Sequence, residues 1–392
     1  FEPARERAAA FAPGFPLSSA AQRETLTALA TKLASAQASG DTKTAIELAL
    51  ILRGICAQAG FDDLEGPLGP DVSRYANAAN EALARARTQL AEQIGEPLTV
   101  EQLRLMDGDE RERFTHEHAS FAWPGVALSP QSLYRVETVC GHATLLGAAE
   151  AVEEHHARLV KWYGSDPFTA RPGLVRLVPE AFGLESEGAP FWWAGGFQGG
   201  DTTTLRFSCG TIEGLGRGLT HELTHRFDGA LYPGLPAWML EGRAVWTGAA
   251  YANPEDDEFV DDHALFGTID DARIKGYGGR EALEKLIKGT IEDYRDNYTA
   301  GYALFVFLKS WGDEDATPRY AKALLAYMKS RRTDKRDALD AFVAHFCDGK
   351  ETRPADFEAF AAEFGTWATG FYWRDRKPWT KRYVESAGPS RA

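Results

Sequence analysis

Hydrophobic positions recur every three or four residues through the first hundred residues of the chain. Leu, Ile and Ala repeat at this spacing over 24–37 and 44–59, which predicts amphipathic helices that bury one face. A further helix is predicted over 73–95, where it ends at a glycine with a proline just beyond. Three or four helices are therefore expected in a helical N-terminal domain, residues 1–108.

The pattern of polar and apolar positions changes in the next hundred residues. The aromatic-rich segment 113–123 alternates as a half-buried strand does. A helix is predicted over 143–164, followed by a short apolar strand over 174–179. The glycine-rich stretch 191–210 has the pattern of an edge strand or a hairpin with bulges.

Helical spacing resumes at Thr211 and continues almost to the end of the chain. Strands followed by a run of helices indicate an α+β fold. We therefore predict one domain over 109–392, with a β-rich lobe at about 109–210 and a helical lobe at about 211–392.

The acidic composition excludes several classes of partner. The 392 residues carry 57 Asp and Glu against 43 Lys and Arg, which gives a formal net charge of −14. Binding to a phosphate backbone needs a concentrated surplus of positive charge, so DNA and RNA are not expected as partners. No apolar run approaches the roughly 20 residues that cross a bilayer, so no membrane span is expected either.

The cysteines and the first residue bear on the compartment. Cys56, Cys140, Cys209 and Cys347 are widely spaced and form no CxxC pair, which excludes a zinc knuckle or a redox motif. They form up to two disulfides in an exported protein, or they remain buried thiols. The chain begins at Phe1 instead of Met, and this, the even number of cysteines and the 10 tryptophans favour a periplasmic or secreted protein over a cytoplasmic one.

The sequence HELTH, residues 221–225, is the strongest chemical signal. Residues four apart on an α-helix project about 40° from each other, so His221 and His225 are able to present imidazole nitrogens to one ion. Glu222 lies beside them, where in a zinc hydrolase it holds the reacting water and takes its proton. Three fixed positions also occur by chance, and the alternative is an ordinary helix with two exposed or core histidines.

Glu241 is the best candidate for a third ligand. It follows His225 on a second predicted helix, which begins near Pro236 behind the short turn YPGLP. Two antiparallel helices joined by such a turn bring a side chain of the second against the middle of the first. Gly242 has no side chain, which allows the two helices to pack closely. Two histidines and a glutamate are a standard ligand set of catalytic zinc.

HELTH followed by LPAWMLEGRAVW resembles the gluzincin peptidases, zinc metallopeptidases that include thermolysin and aminopeptidase N. The second segment is most similar to bacterial members of the peptidase MA-like superfamily. The resemblance is specific over about 30 residues and extends more weakly from about 111 to 312. It implies a thermolysin-like catalytic domain, with zinc held by His221, His225 and Glu241 and with Glu222 as the general base of peptide hydrolysis.

A second segment, YTAGYALFVFL, begins at Tyr298. It is similar to the Tyr-x-x-Gly-aromatic segment of aminopeptidase-like gluzincins, in which the tyrosine donates a hydrogen bond to the oxyanion of the tetrahedral intermediate. The resemblance implies this catalytic role for Tyr298 and not for Tyr302, which lies in a continuous apolar run that should face the core. The alternative is that both tyrosines only pack against apolar neighbours.

The resemblance also implies a substrate-binding edge strand, in which Gly195, Gly196 and Phe197 pair with the peptide backbone. The glutamate with which aminopeptidases bind the free amino terminus of a substrate is missing, and Phe197 and Gln198 occupy that region. An endopeptidase that acts on peptides or proteins is therefore expected in preference to an aminopeptidase. The alternative from another class is a non-catalytic zinc-containing module for binding or scaffolding.

Asp228 lies three residues after His225 and shares its predicted helical face. It competes with Glu241 as a ligand, although a short side chain on the same helix reaches poorly beyond its own turn. Otherwise it accepts a hydrogen bond from a metal-bound imidazole, or it is an ordinary surface or helix-end aspartate.

The remaining candidates carry weaker signals. The acidic run 253–263 offers oxygen ligands for calcium but lacks the EF-hand spacing, so a solvated loop is the preferred interpretation. The third histidine that a metzincin needs is absent after HELTH. The other histidines are interpreted as surface or core residues without a metal, namely His116, His118, His142, His155, His156, His263 and His345.

Overall fold

The structure, a computed structural model, describes the greater part of the chain's residues. They are 19–58, 69–91, 96–118, 124–169, 172–179, 195–207, 209, 215–250, 279–291, 298–311, 318–350 and 353–367.

Helices and strands both occur in the described residues, which is compatible with the predicted α+β class. The chain divides into two compact units. The first comprises residues 1–153 and 170–215, and the second comprises 154–169 and 216–392. The predicted domain boundary at 108/109 falls inside the first unit.

The described residues of the first unit begin with three helices: α1 Ser19–Ala38, α2 Thr42–Gln58 and α3 Gly69–Ala91. Their apolar positions meet in one buried cluster, to which α2 contributes Leu52. Val178 of the sheet packs into the same cluster, so the helices and the sheet share a core. The helical spacing of the sequence predicted these elements correctly.

Helix α5, Gly108–His118, corrects the strand predicted over 113–123, of which residues 119–123 lie outside the described part. The backbone N–H of Glu110 donates to the Asp107 carboxylate at 2.8 Å, and the backbone N–H of Asp107 donates to the Glu110 carboxylate at 3.0 Å. This reciprocal capping box favours a helix. The aromatic alternation misled the prediction because only Phe114 of the segment's described residues is buried.

The described strands of the first unit form a six-stranded sheet. They are β1 Leu98–Thr99, β2 Gly125–Leu128, β3 Tyr134–Thr138, β4 Gly173–Pro179, β5 Gly196–Gly199 and β6 Thr202–Phe207. Their order in the sheet is β1-β2-β3-β4-β6-β5. The pairs β1–β2, β3–β4 and β4–β6 are parallel, and β2–β3 and β5–β6 are antiparallel. Helix α4, Val100–Leu105, follows β1, and helix α6, His142–Tyr163, connects the parallel strands β3 and β4, as such a pair requires.

The strand predicted over 174–179 and the edge hairpin predicted within 191–210 are confirmed by β4 and by the pair β5–β6. Residues 191–194 of the predicted hairpin lie outside the described residues. Strand β5 is an edge of the sheet, so one side of its backbone pairs with no other described strand.

In its described residues the second unit consists of helices. In helix α10, Tyr298–Ser310, every residue from Tyr302 to Leu308 is buried, which confirms that Tyr302 faces the core. Aromatic side chains of the later helices surround Phe307. The helices are α7 Leu215–Leu231, α8 Ala237–Ala250, α9 Arg280–Lys288, α10 Tyr298–Ser310, α11 Ala321–Ser330, α12 Ala338–Phe346 and α13 Phe357–Thr366.

One disulfide joins Cys140 to Cys209 in the first unit, while Cys56 and Cys347 are buried free thiols. The structure therefore combines the two outcomes that the sequence left open. In the part of the chain that the structure describes, no helix has the length and apolar character needed to cross a membrane.

Candidate metal centre

Helix α7 places the two histidines of HELTH on one side. The Nε2 atoms of His221 and His225 lie 3.2 Å apart, and their rings meet edge to face. Thr220 and Thr224 each lie about 100° around the helix from the histidine that follows; both are fully buried, and their hydroxyls donate to backbone carbonyls one turn earlier. The buried threonines hold the inner face of the helix and leave both imidazoles turned towards the same point.

Glu241 of helix α8 meets the two histidines. Its Oε2 lies 3.3 Å from Nε2 of His221, and its Oε1 lies 3.6 Å from Nε2 of His225. The residue is 7% exposed. Oε2 is buried and accepts no hydrogen bond of good geometry from any described residue. The structure thus brings together the three side chains that the sequence predicted as metal ligands.

The spacing of these atoms fits a zinc ion. Two donors about 2.0–2.1 Å from one tetrahedral zinc ion lie about 3.3 Å apart. The three observed separations among His221, His225 and Glu241 are 3.2, 3.3 and 3.6 Å. Two imidazoles that face each other share at most one proton, and the Glu241 carboxylate beside them retains a buried oxygen without a hydrogen bond. A cation at the common point satisfies all three groups.

Without a metal ion, His225 and Glu241 shift each other's pKa. Burial lowers the pKa of His225, but the charge of Glu241 and its contact with the imidazole, together with the charges of Glu222 and Asp228, outweigh burial and raise that pKa to about 9. Burial favours the protonated form of Glu241, but the charge of His225, the contacts of both imidazoles with the carboxylate and the charge of His221 together outweigh burial and hold the pKa of the carboxyl well below its usual range. The centre therefore attracts positive charge.

Glu222 stands beside the three groups without joining them as closely. Its Oε1 lies 3.9 Å from Nε2 of His221, farther than either carboxylate oxygen of Glu241 from its nearest imidazole. His221, Glu222 and His225 offer ligand atoms within 4.8 Å of one another. Burial, with the negative charge of Glu241, raises the pKa of Glu222 against the opposing effect of the histidines. A carboxyl group with a raised pKa is better suited to accept a proton near neutral pH.

A tight turn and two close contacts fix α8 against α7. Gly234 in the turn has φ +88°, a conformation that favours glycine. The hydroxyls of Thr224 and Thr247 lie 2.7 Å apart in the interior. A Cβ on Gly248 would lie 2.8 Å from the carbonyl oxygen of Arg217, so the lack of a side chain at Gly248 permits the close packing of these helices.

Gly242 has a different partner from the one predicted. A Cβ on Gly242 would lie 2.3 Å from the carbonyl oxygen of Gly301, which belongs to α10 and not to α7. The glycine next to Glu241 thus permits backbone contact between α8 and α10. The prediction was wrong because the sequence indicated a close approach without identifying the helix that makes it.

Asp228 is fully buried, which contradicts its interpretation as a surface aspartate. The Tyr163 hydroxyl donates to its Oδ1 at 2.7 Å, and Nη1 of Arg243 lies 3.0 Å from the same oxygen. Neither a ligand position nor a hydrogen bond from His225 is found for Asp228 in the described contacts. Burial raises the pKa of Asp228, against the opposing charge of Arg243.

Sequence reasoning missed Arg243 and Tyr163. Arg243 stacks over the Tyr163 ring, with its guanidinium carbon 4.3 Å from the ring centroid, and Tyr163 closes helix α6. A signal was present, because Glu241 and Arg243 are the two charged residues in the otherwise apolar stretch 237–250. A charge in such a helix requires a buried partner, and Asp228 was the nearest candidate.

The other predicted site residues are placed only in part. Tyr298 is the first residue of α10, and its side chain lies outside the described residues. Gly195 and Gly196 lie at the start of edge strand β5, while the Phe197 side chain packs against the helical cluster of the first unit. The acidic run 253–263 lies outside the described residues, so the structure says nothing about calcium there.

The remaining histidines keep to structural positions in the described part of the chain. His142 is buried with Nε2 2.7 Å from the Leu103 carbonyl oxygen. His155 and His156 are also buried, so the core interpretation holds for them. His116 lies exposed on a helix, His345 is partly buried at the end of α12, the His118 side chain is outside the described part, and so is His263.

Comparison of the chain with protein-family models, with curated proteins and with solved structures found no match. The function proposed below therefore rests on the residues and geometry of the site.

Proposed function

We propose that this protein is a zinc-dependent peptidase of the gluzincin type, more specifically an endopeptidase. The observation that supports it most directly is the convergence of His221, His225 and Glu241 from two helices, with Nε2 and carboxylate oxygens 3.2 to 3.6 Å apart. Two histidines and a glutamate leave the fourth position of a tetrahedral zinc ion for water or substrate, as catalytic sites do.

The chain's own side chains have separate roles in this proposal. When bound, zinc polarises the scissile carbonyl and lowers the pKa of water. Glu222 accepts a proton from the attacking water through its carboxylate oxygen and passes it to the nitrogen of the leaving amine. Tyr298 donates its phenol hydrogen to the carbonyl oxygen as negative charge develops there. Glu222 suits this role because it is buried beside the three ligands and is not itself one of them.

The contact between Gly242 and Gly301 supports the role of Tyr298. Glu241 adjoins Gly242 on α8. Tyr298 precedes Gly301 by one helical turn, so Tyr298 and Gly301 lie on the same side of α10. A direct backbone contact between α8 and α10 therefore brings the start of α10 near Glu241. This arrangement is compatible with a thermolysin-like catalytic domain.

Peptide binding and export complete the proposal. The side of β5 that pairs with no described strand is the proposed binding edge for an extended peptide, which would pair with the backbone of Gly195, Gly196 and Phe197. Phe197 contributes through its backbone, because its ring packs inward. The Cys140–Cys209 disulfide favours an oxidising compartment, either periplasmic or extracellular. No nucleic-acid partner is proposed.

The test uses the full chain loaded with zinc and a set of internally quenched peptides blocked at both ends. We expect wild type to cleave such peptides, and Glu222→Gln to retain zinc while losing at least about 100-fold in kcat/KM. The glutamine preserves shape and removes only the proton acceptor. Comparable turnover by this variant refutes the mechanism. A zinc-loaded wild type that cleaves no peptide favours the non-catalytic binding or scaffolding module.

A further inference from the structure

A buried ionic cluster lies behind the candidate metal centre. It consists of Asp228, Arg243 and Tyr163, which we call the Asp228 clamp. The Asp228 carboxylate accepts from the Tyr163 hydroxyl at 2.7 Å and pairs with Arg243 at 3.0 Å. Asp228 is fully buried, and Arg243 has only 12% of its side chain exposed. None of these three residues has a role in the proposed reaction.

The clamp joins the same helices that carry the ligands. Asp228 follows His225 by less than one turn of α7, and Arg243 follows Glu241 by two residues on α8. Their ion pair therefore ties the two helices within a turn of a ligand on each. Tyr163 adds the end of α6 as a third anchor.

The geometry of the clamp restricts its movement. The Arg243 guanidinium carbon lies 4.3 Å from the Tyr163 ring centroid and 5.4 Å from that of Tyr232. Stacking on two rings fixes the plane of the guanidinium, and the ion pair fixes its direction. A buried ion pair is weak support for stability alone, because the desolvation of both charges offsets their attraction. Control of position explains the clamp better than stabilisation does.

We propose that the Asp228 clamp is a positioning device, which holds Glu241 at the distance from His225 that one metal ion requires. This inference rests on the proposed zinc site. Partners that orient metal ligands from outside typically change metal affinity by about 10-fold to 100-fold when they are removed. Loss of one hydrogen bond of the clamp should therefore weaken zinc binding without removing any ligand.

Tyr163→Phe is the variant for the test, because it removes one hydroxyl and keeps the ring under Arg243. Tyr320→Phe is the matched control. The Tyr320 hydroxyl also donates to a carboxylate of the second unit, that of Glu363, at 2.8 Å, among residues that make no contact with the ligands in the described structure. Each substitution deletes one phenol-to-carboxylate hydrogen bond.

The full chain, stripped of metal, is titrated with zinc against a chromophoric chelator, and the visible spectrum of the Co²⁺-loaded protein is recorded. We expect Tyr163→Phe to raise the zinc Kd about tenfold and to shift the Co²⁺ bands, while Tyr320→Phe leaves both unchanged. Urea unfolding of the metal-free proteins shows how far each variant is destabilised.

Three results decide the matter. Zinc affinity and Co²⁺ bands that are the same in wild type and Tyr163→Phe overturn the positioning role, as does an equal loss of affinity in Tyr320→Phe. Arg243→Lys, which keeps the charge but not the planar stack, provides a second variant with the same expected weakening. A wild type that binds no zinc refutes the proposed function itself, and is thereby distinguished from failure of the clamp.

Discussion

Gly242→Ala tests the backbone contact that brings α10 against the ligand helix. The added Cβ would lie 2.3 Å from the carbonyl oxygen of Gly301 and 2.6 Å from its carbonyl carbon. Atoms in ordinary contact are about 3.5 Å apart, so α8 and α10 must separate by about 1 Å. Both obstructing atoms belong to the backbone, and no side-chain rotation relieves the overlap.

The magnitude follows from two opposing effects. Overpacking of a core costs about 1–3 kcal/mol, and rigid backbone places this site at the upper end. Alanine gains about 1 kcal/mol over glycine in a helix. We expect a net loss of about 2 kcal/mol in the free energy of unfolding, measured by urea denaturation of metal-free protein.

Gly229→Ala is the control for the same substitution. Gly229 lies exposed on α7, and a Cβ there would meet nothing within 4 Å. This variant should gain up to about 1 kcal/mol from helix propensity. If Gly242→Ala is as stable as Gly229→Ala, the close backbone contact between α8 and α10 is contradicted.

Two further predictions concern the thiols and the half-buried amine of Lys309. Alkylation of the unfolded, unreduced chain should label only Cys56 and Cys347, as mass spectrometry will show. Reduction of the bond between Cys140 and Cys209, which are 69 residues apart in sequence, should lower the free energy of unfolding by about 4 kcal/mol. Burial lowers the pKa of Lys309 to about 7 from 10.5, so the unfolded chain binds the extra proton between these values and stability rises with pH across them. Lys309→Met should abolish this rise, on the order of 2 kcal/mol after screening, in urea titrations at pH 7 and 10; an unchanged pH dependence contradicts the assignment.

The sequence predicted local structure where spacing and capping agreed. The helices that carry His221 and Glu241 follow from apolar spacing, with Pro236 ahead of the second helix. The strand predicted after Asp107 was wrong. The alternating aromatics favoured a strand, whereas the capping box that begins the helix depends on only two side chains. A local hydrogen-bonded start of this kind overrides a weak pattern of alternation.

Long-range contacts were harder to predict. The sequence showed that Gly242 permits a close approach, but a missing side chain does not identify its partner, and the contact with Gly301 spans 59 positions of the numbering. Asp228 was ambiguous for the same reason, because its buried partners Arg243 and Tyr163 lie on other helices. Such pairings depend on how helices cross, which periodicity does not specify.

Metal analysis of purified wild type, Glu241→Ala and Asp228→Ala tests the central claim most directly. We expect about one zinc ion per wild-type chain, a sharp loss in Glu241→Ala and a smaller loss in Asp228→Ala, because Glu241 supplies a ligand oxygen while Asp228 only helps to position that ligand. Wild type that takes up no zinc when it is supplied contradicts the proposed metal centre, since HELTH is then only a stretch of helix. Greater loss in Asp228→Ala than in Glu241→Ala shows that the third ligand is wrongly assigned.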